Sequence, residues 1–108
     1  MSTEIPEPIA TVTEYAISCL PETDRDRKHF TLFVRKSTGD LWRVCDRWGD
    51  RYDMHGKYVP AIDTNDEDLR RTTLMPLDKA LEIAKRVAPT LTCNGKTVSD
   101  VLAAGGAR

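Results

Sequence analysis

The residue types able to do chemistry are few and poorly spaced for it. Cys19, Cys45 and Cys93 contain no Cys-x-x-Cys pair, and the histidines are His29 and His55. A zinc site would need these distant thiols and an imidazole to converge without any short-spaced ligand pair, so no metal is expected. Nucleophilic catalysis needs a nucleophile, a base and an orienting group in one protected place. Cys45 with His29 is the pairing that a hairpin would bring nearest. Strand alternation, however, sets His29 on an outer face with Phe33 and Arg35, and free cysteines packed as small hydrophobes are the plainer expectation.

Phosphate chemistry fares no better. The six glycines build neither G-x-G-x-x-G nor G-x-x-x-x-G-K-[ST]. Gly95-Lys96-Thr97 ends like a phosphate loop, but Thr90 stands where the first glycine belongs,. The acidic run from Asp63 to Asp68 alternates oxygen donors at Asp63, Asn65 and Glu67. A calcium loop starting there would place Asp68 where glycine is required and Leu74 where the bidentate glutamate is required,. A helix cap followed by acids in the first turn accounts for the same residues, since unpaired amides and the helix dipole favour negative charge. No catalytic residue and no cofactor are expected.

One stretch does carry recognition chemistry. Arg43 to Tyr58 reads RVCDRWGDRYDMHGKY and interleaves cations with rings. Arg47, Trp48, Arg51, Tyr52 and Tyr58 form a candidate interaction patch, because Trp, Tyr and Arg are the types enriched at binding hot spots. The same residues could stack bases and contact phosphates. Asp46, Asp50 and Asp53 nearly neutralise the segment, and carboxylates beside a phosphate backbone cost affinity. The expectation is therefore a non-enzymatic accessory or adaptor domain that binds an unidentified protein partner. Nucleic-acid binding by the same patch is the alternative, and a small cysteine/histidine enzyme a distant third. With Trp48 and Tyr52 both buried the patch would vanish.

The elements that must hold this patch follow from local pattern. Thr11 to Leu20 reads as a first strand packing through Val12, Tyr15, Ile17 and Cys19, ended by Pro21,. His29 to Lys36 alternates, with Phe30, Leu32 and Val34 on one face. Ser37 to Asp40 is a tight turn with Gly39 at positive φ, and Leu41 to Asp46 returns with Trp42 and Val44 on one face. Arg47 to Asp50 reads as a turn or bulge. Arg51 to Met54 and Lys57 to Val59 read as a smaller second hairpin around His55-Gly56, stopped by Pro60. Thr72 to Met75 is a short strand.

Asp78 to Ala88 has the clearest helical period. Leu81, Ala84 and Ala88, extended by Ala80, Ile83 and Val87, make an apolar stripe opposite Lys79, Glu82, Lys85 and Arg86, with Asp78 as cap and Pro89 as stop,. Asn94-Gly95 is a turn dipeptide, and Thr97 with Asp100 forms a capping box for a last helix over 98–103. No internal repeat stands out.

Composition fits this reading. The 108 residues suit one domain, with 40% hydrophobic and 31% charged residues and a formal charge of −1,. The signs alternate along the chain: net −4 over 1–22, +3 over 23–58, −3 over 59–84 and +3 over 85–108. Such blocks usually interleave on a folded surface, which disfavours binding nucleic acid by bulk charge. No apolar run reaches the roughly 17–25 residues of a membrane helix, and MSTEIPEPIA lacks the regions of a signal peptide. A cytoplasmic protein with no membrane partner is expected, as a monomer or weak homodimer. Compact, mixed in charge and without a catalytic motif, the chain resembles the small accessory proteins encoded by bacteria and their phages.

The predicted fold is α+β: a small, mainly antiparallel sheet of three to five strands. Its one covered face lies under a C-terminal amphipathic helix, with the short terminal helix beside or under it. Residues 1–10, with Pro6 and Pro8, read as a flexible lead-in, 11–104 as the single domain and 105–108 as a frayed end.

Overall fold

Alternation in the two central strands decides the fold. In the computed structural model, which describes residues 4–60 and 67–106, Leu32, Val34 and Val44 are fully buried and Trp42 nearly so. Their strands are β2 (Thr31–Lys36) and β3 (Leu41–Cys45), paired antiparallel with Val34 opposite Val44 and Lys36 opposite Trp42. The turn between them has Gly39 at φ +58°. Strand β1 (Glu14–Ser18) pairs with β2 on the outer side. Strands β4 (Arg51–Tyr52) and β5 (Tyr58–Val59) continue the sheet beyond β3.

A sixth short strand, β6 (Met75–Pro76), also joins β3, pairing Met75 with Trp42. β3 thus divides its second edge between β6 at Leu41–Trp42 and β4 at Val44–Cys45. Pro76 sits on an edge, where its missing N–H costs no central hydrogen bond.

The main helix, α2 (Leu77–Val87), follows β6 directly; the preceding α1 (Glu67–Thr72) carries on from the acidic run read as a helix cap and includes Thr72, where a strand was expected to begin. Ala80, Ile83, Ala84 and Val87 are buried and face Leu32, Val34, Trp42, Val44, Tyr52 and Met75. This is the layer pairing expected from the two apolar patterns. Asp78 does not cap the helix: Pro76 occupies the cap position without a side-chain bond, and Asp78 lies in the first turn, where the dipole still favours it,. On the solvent side Glu82 pairs with Arg86 at 2.7 Å and Lys79 at 3.6 Å. A short 3-10 turn, Ala88–Thr90, takes Pro89.

The tail forms its own small hairpin, β7 (Thr92–Cys93) and β8 (Lys96–Thr97), around Asn94 at φ +52° and Gly95 at φ +77°. Thr97 and Asp100 make the expected capping box: Thr97 N donates to Asp100 Oδ2 at 2.9 Å and Asp100 N to Thr97 Oγ1 at 3.1 Å. The Thr97 amide on that carboxylate, with the Thr97 side chain second, holds the carboxyl of Asp100 below its usual range. Helix α3 (Val98–Gly106) runs past the expected end at 103. It packs away from the α2 face, in a second cluster of Leu20, Phe30, Val98 and Val101, with Leu91 touching both cores.

Three assignments at the start of the chain are corrected. Strand β1 begins at Glu14 rather than Thr11, leaving Val12 57% exposed, and Cys19 is exposed while Leu20 is buried. The alternation ran past the end of the partner strand, so it assigned faces where no sheet exists. The acidic cap proposed around Asp63 lies largely outside the described residues. Truncation in the main core should cost more than loss of the tail's cap. Leu32→Ala is expected to cost about 2–5 kcal/mol in urea unfolding, against about 1 kcal/mol for loss of the Thr97 cap in Thr97→Ala. Equal losses would contradict the hierarchy.

Candidate functional site

The segment after β3 is built by two aspartates. Asp46 Oδ1 accepts the backbone amides of Trp48 at 2.9 Å and Asp50 at 3.0 Å, while Gly49 N reaches the Asp46 carbonyl at 3.2 Å. Seven residues on, Asp53 Oδ1 accepts the amides of His55 at 2.8 Å and Lys57 at 2.9 Å, with Gly56 N on the Asp53 carbonyl at 3.0 Å. In both turns the aspartate amide closes the loop on the fifth residue's carbonyl. Gly49 and Gly56 stand at φ +88° and +78°, a region that any side chain would strain,. Asp46 to Tyr52 and Asp53 to Val59 are therefore two copies of one unit, Asp-x-x-Gly-x followed by a two-residue strand. The sequence reading missed this repeat. Its signal was the seven-residue spacing of Asp46 with Gly49 and Asp53 with Gly56, carried by backbone-shaping residues rather than by apolar ones.

These turns separate the five residues of the expected patch. Trp48, at the first turn's tip, is 62% exposed, and the Arg47 guanidinium lies 5.1 Å from its ring centre. Arg47 also donates to His29 Nδ1, so that nitrogen serves as an acceptor. Tyr58 is 47% exposed and its hydroxyl donates to Asp50 Oδ2, which pushes its ionisation up to about 12. Tyr52, by contrast, is a core residue under α2, meeting Tyr58 edge-on at 5.7 Å. Arg51 belongs to the other side of the sheet. It is paired across the strands with Cys45, and it donates to Thr73 Oγ1 at 3.3 Å.

The surface that persists is an indole on a stiff turn, flanked by Arg47 and Tyr58. At the matching position of the second turn stands His55, and Met54 beside it is 42% exposed. Cys45 and His29 take different partners: the buried thiol donates to the Phe33 carbonyl at 3.7 Å. Burial pushes that thiol up, which opposes thiolate formation,. Among the described residues no group of three or more His, Cys, Asp or Glu side chains could hold a metal ion. No helix there is long and apolar enough to cross a membrane. No family model, curated protein or solved structure matches the chain.

Asp46 is only 8% exposed, and burial raises its carboxyl above the usual value of 3.8 despite the amides it accepts. A raised carboxyl means that the folded chain holds the proton more tightly than the unfolded one, so this group's contribution falls as pH rises through the window above 3.8. Asp46→Asn keeps an acceptor oxygen and removes the charge. Urea titrations should show the variant gaining on wild type as pH rises from that window toward neutrality; a pH-independent gap would refute the assignment. Spectrophotometric titration offers a second check. Asp50→Asn should return the Tyr58 phenol from about 12 toward its ordinary 10.

Proposed function

We propose that this protein is a non-enzymatic protein-interaction domain, an accessory or adaptor that presents Trp48 with Arg47 and Tyr58. The observation that carries this reading is the 62% exposure of Trp48 on a turn whose aspartate fixes its backbone. A bare indole in water is unfavourable, and a mobile one would lose conformational freedom on binding. Here the turn is ordered beforehand, so less is lost at contact. Tyr58 is held by Asp50, and Arg47 is held between the indole and His29. The fitting partner has an apolar pocket for one ring, rimmed by carboxylates that meet Arg47.

The decisive comparison leaves the core alone. Trp48→Ala combined with Tyr58→Ala removes exposed rings, whereas Tyr52→Ala would open a cavity under α2. Affinity capture from the native host, read by mass spectrometry, should lose one protein with the double variant while circular dichroism stays unchanged. The loss on Trp48→Ala should be about 2 kcal/mol or more, roughly thirtyfold in affinity, as for a central hot spot. Identical captures from both proteins would defeat the proposal.

A further inference from the structure

The face of the sheet turned away from α2 has its own chemistry. Parity places Phe33 and Arg35 of β2, Arg43 of β3 and Arg51 of β4 on that face. Arg35 stands directly opposite Arg43 across the strands, and Arg51 stands opposite Cys45, which is itself opposite Phe33. Like charges directly opposite on a sheet are destabilising, yet here they are neighbours on adjacent strands. Cys45 lies between Arg35, Arg43 and Arg51 on this side, close enough for each guanidinium to bear on its thiol. The Arg35 guanidinium also lies 4.7 Å from the centre of the half-exposed Phe33 ring. Beyond Phe33 the surface continues into an open groove of about 400 Å³ that Arg25 and Lys28 also line.

Acids face this strip as well. Glu14 pairs with Arg35 at 2.9 Å, and Glu22 and Asp24 line the groove. Asp24 is engaged locally, its Oδ1 accepting the Asp26 amide at 2.8 Å. Arg25, Lys28 and Arg43 form no ion pair among the described residues.

We propose that this face binds single-stranded nucleic acid, with Arg43, Arg35 and the groove cations following the phosphates and Phe33 offering a ring for a base. The positive strip alone would suit any polyanion. The aromatic ring decides in favour of nucleic acid: a base has a π-face to stack on Phe33 and on the guanidinium plane, and an acidic peptide has none. The surface is distinct from the Trp48 turn, so the two proposals stand or fall separately.

The test is fluorescence anisotropy of the full chain with a labelled oligothymidylate of about 15 nucleotides, near the upper single-fold site size. Binding should weaken with salt at about −0.7 log units per neutralised phosphate, hence a slope of about −2 for three contacts. Arg43→Glu should weaken binding roughly tenfold, and the charge-matched Lys85→Glu on the exposed side of α2 should change it less than about twofold. Phe33→Leu should lose roughly fivefold or more with the salt slope unchanged. Equal losses from Arg43→Glu and Lys85→Glu would overturn the proposal, as would no binding at about 50 mM salt. Displacement of the oligonucleotide by polyglutamate of equal charge would overturn it in favour of an acidic protein. If circular dichroism shows Phe33→Leu unfolded, the Arg43 and Lys85 pair with the polyglutamate competition decides.

Discussion

The contact of α2 with the even-numbered residues of the β2–β3 hairpin is the constraint from which the rest follows. Ala80 and Ala84 are fully buried against Leu32, Val34 and Val44, and small side chains let a helix approach the sheet closely. Burying an aliphatic side chain of this kind is worth about 1.5–3 kcal/mol. A slip of one residue would turn Leu32 and Val34 to water and Phe33 and Arg35 inward. Several such side chains fix the register together, so Phe33, Arg35, Arg43 and Arg51 must stand on the far face. The arginine strip is a consequence of the core.

Away from this contact the sheet has little apolar support, and polar turns take over. Strands β4 and β5 have two residues each, well short of the usual five or six. Their pairing survives because Asp46 and Asp53 each gather backbone amides that a tight turn would otherwise leave without partners. Each hydrogen bond adds only about 1 kcal/mol net, but the four side-chain bonds act on adjacent turns of one ribbon. Tyr52 anchors the ribbon to the α2 core from inside, and Tyr58 ties the second turn to the first from outside through Asp50. The exposed position of Trp48 depends on this scaffold rather than on any packing of the indole itself.

What could be read in the sequence was local, and what could not was a matter of partners. The 3.6-residue stripe of α2, the alternation of β2 and β3, the Asn94-Gly95 turn and the Thr97–Asp100 box are each written within a few residues. Tyr52 and Trp48 are four residues apart with the same composition around them, and nothing local says which ring enters the core. That is settled by Tyr52 lying opposite Tyr58 and next in register to Val44. Leu20 and Phe30 meet Val98 and Val101 from the far end of the chain, a pairing that no pattern announces. Helix α1 has only six residues after an acidic run, too short for a period to register. The arginine strip was hidden for the same reason: its members are spread over three strands and align only when the registers are known.

Charge illustrates the difference between composition and placement. The negative block over 59–84 and the positive block over 85–108 look set to blend, and on α2 they do, since Glu82 is shared between Lys79 and Arg86. The sheet face behaves otherwise, because strand pairing puts Arg35 against Arg43 with Glu14 as the ion-paired neighbour. Cys45 lies beneath that face. Three nearby guanidiniums would each draw its proton off, yet burial outweighs them and the thiol is pushed up. Cys45 is 2% exposed, while Arg35, Arg43 and Arg51 are half-buried, so the sulfur is sealed beneath side chains that still reach the surface. A half-exposed arginine whose stem covers a closed core keeps its charge at the surface, within reach of another molecule.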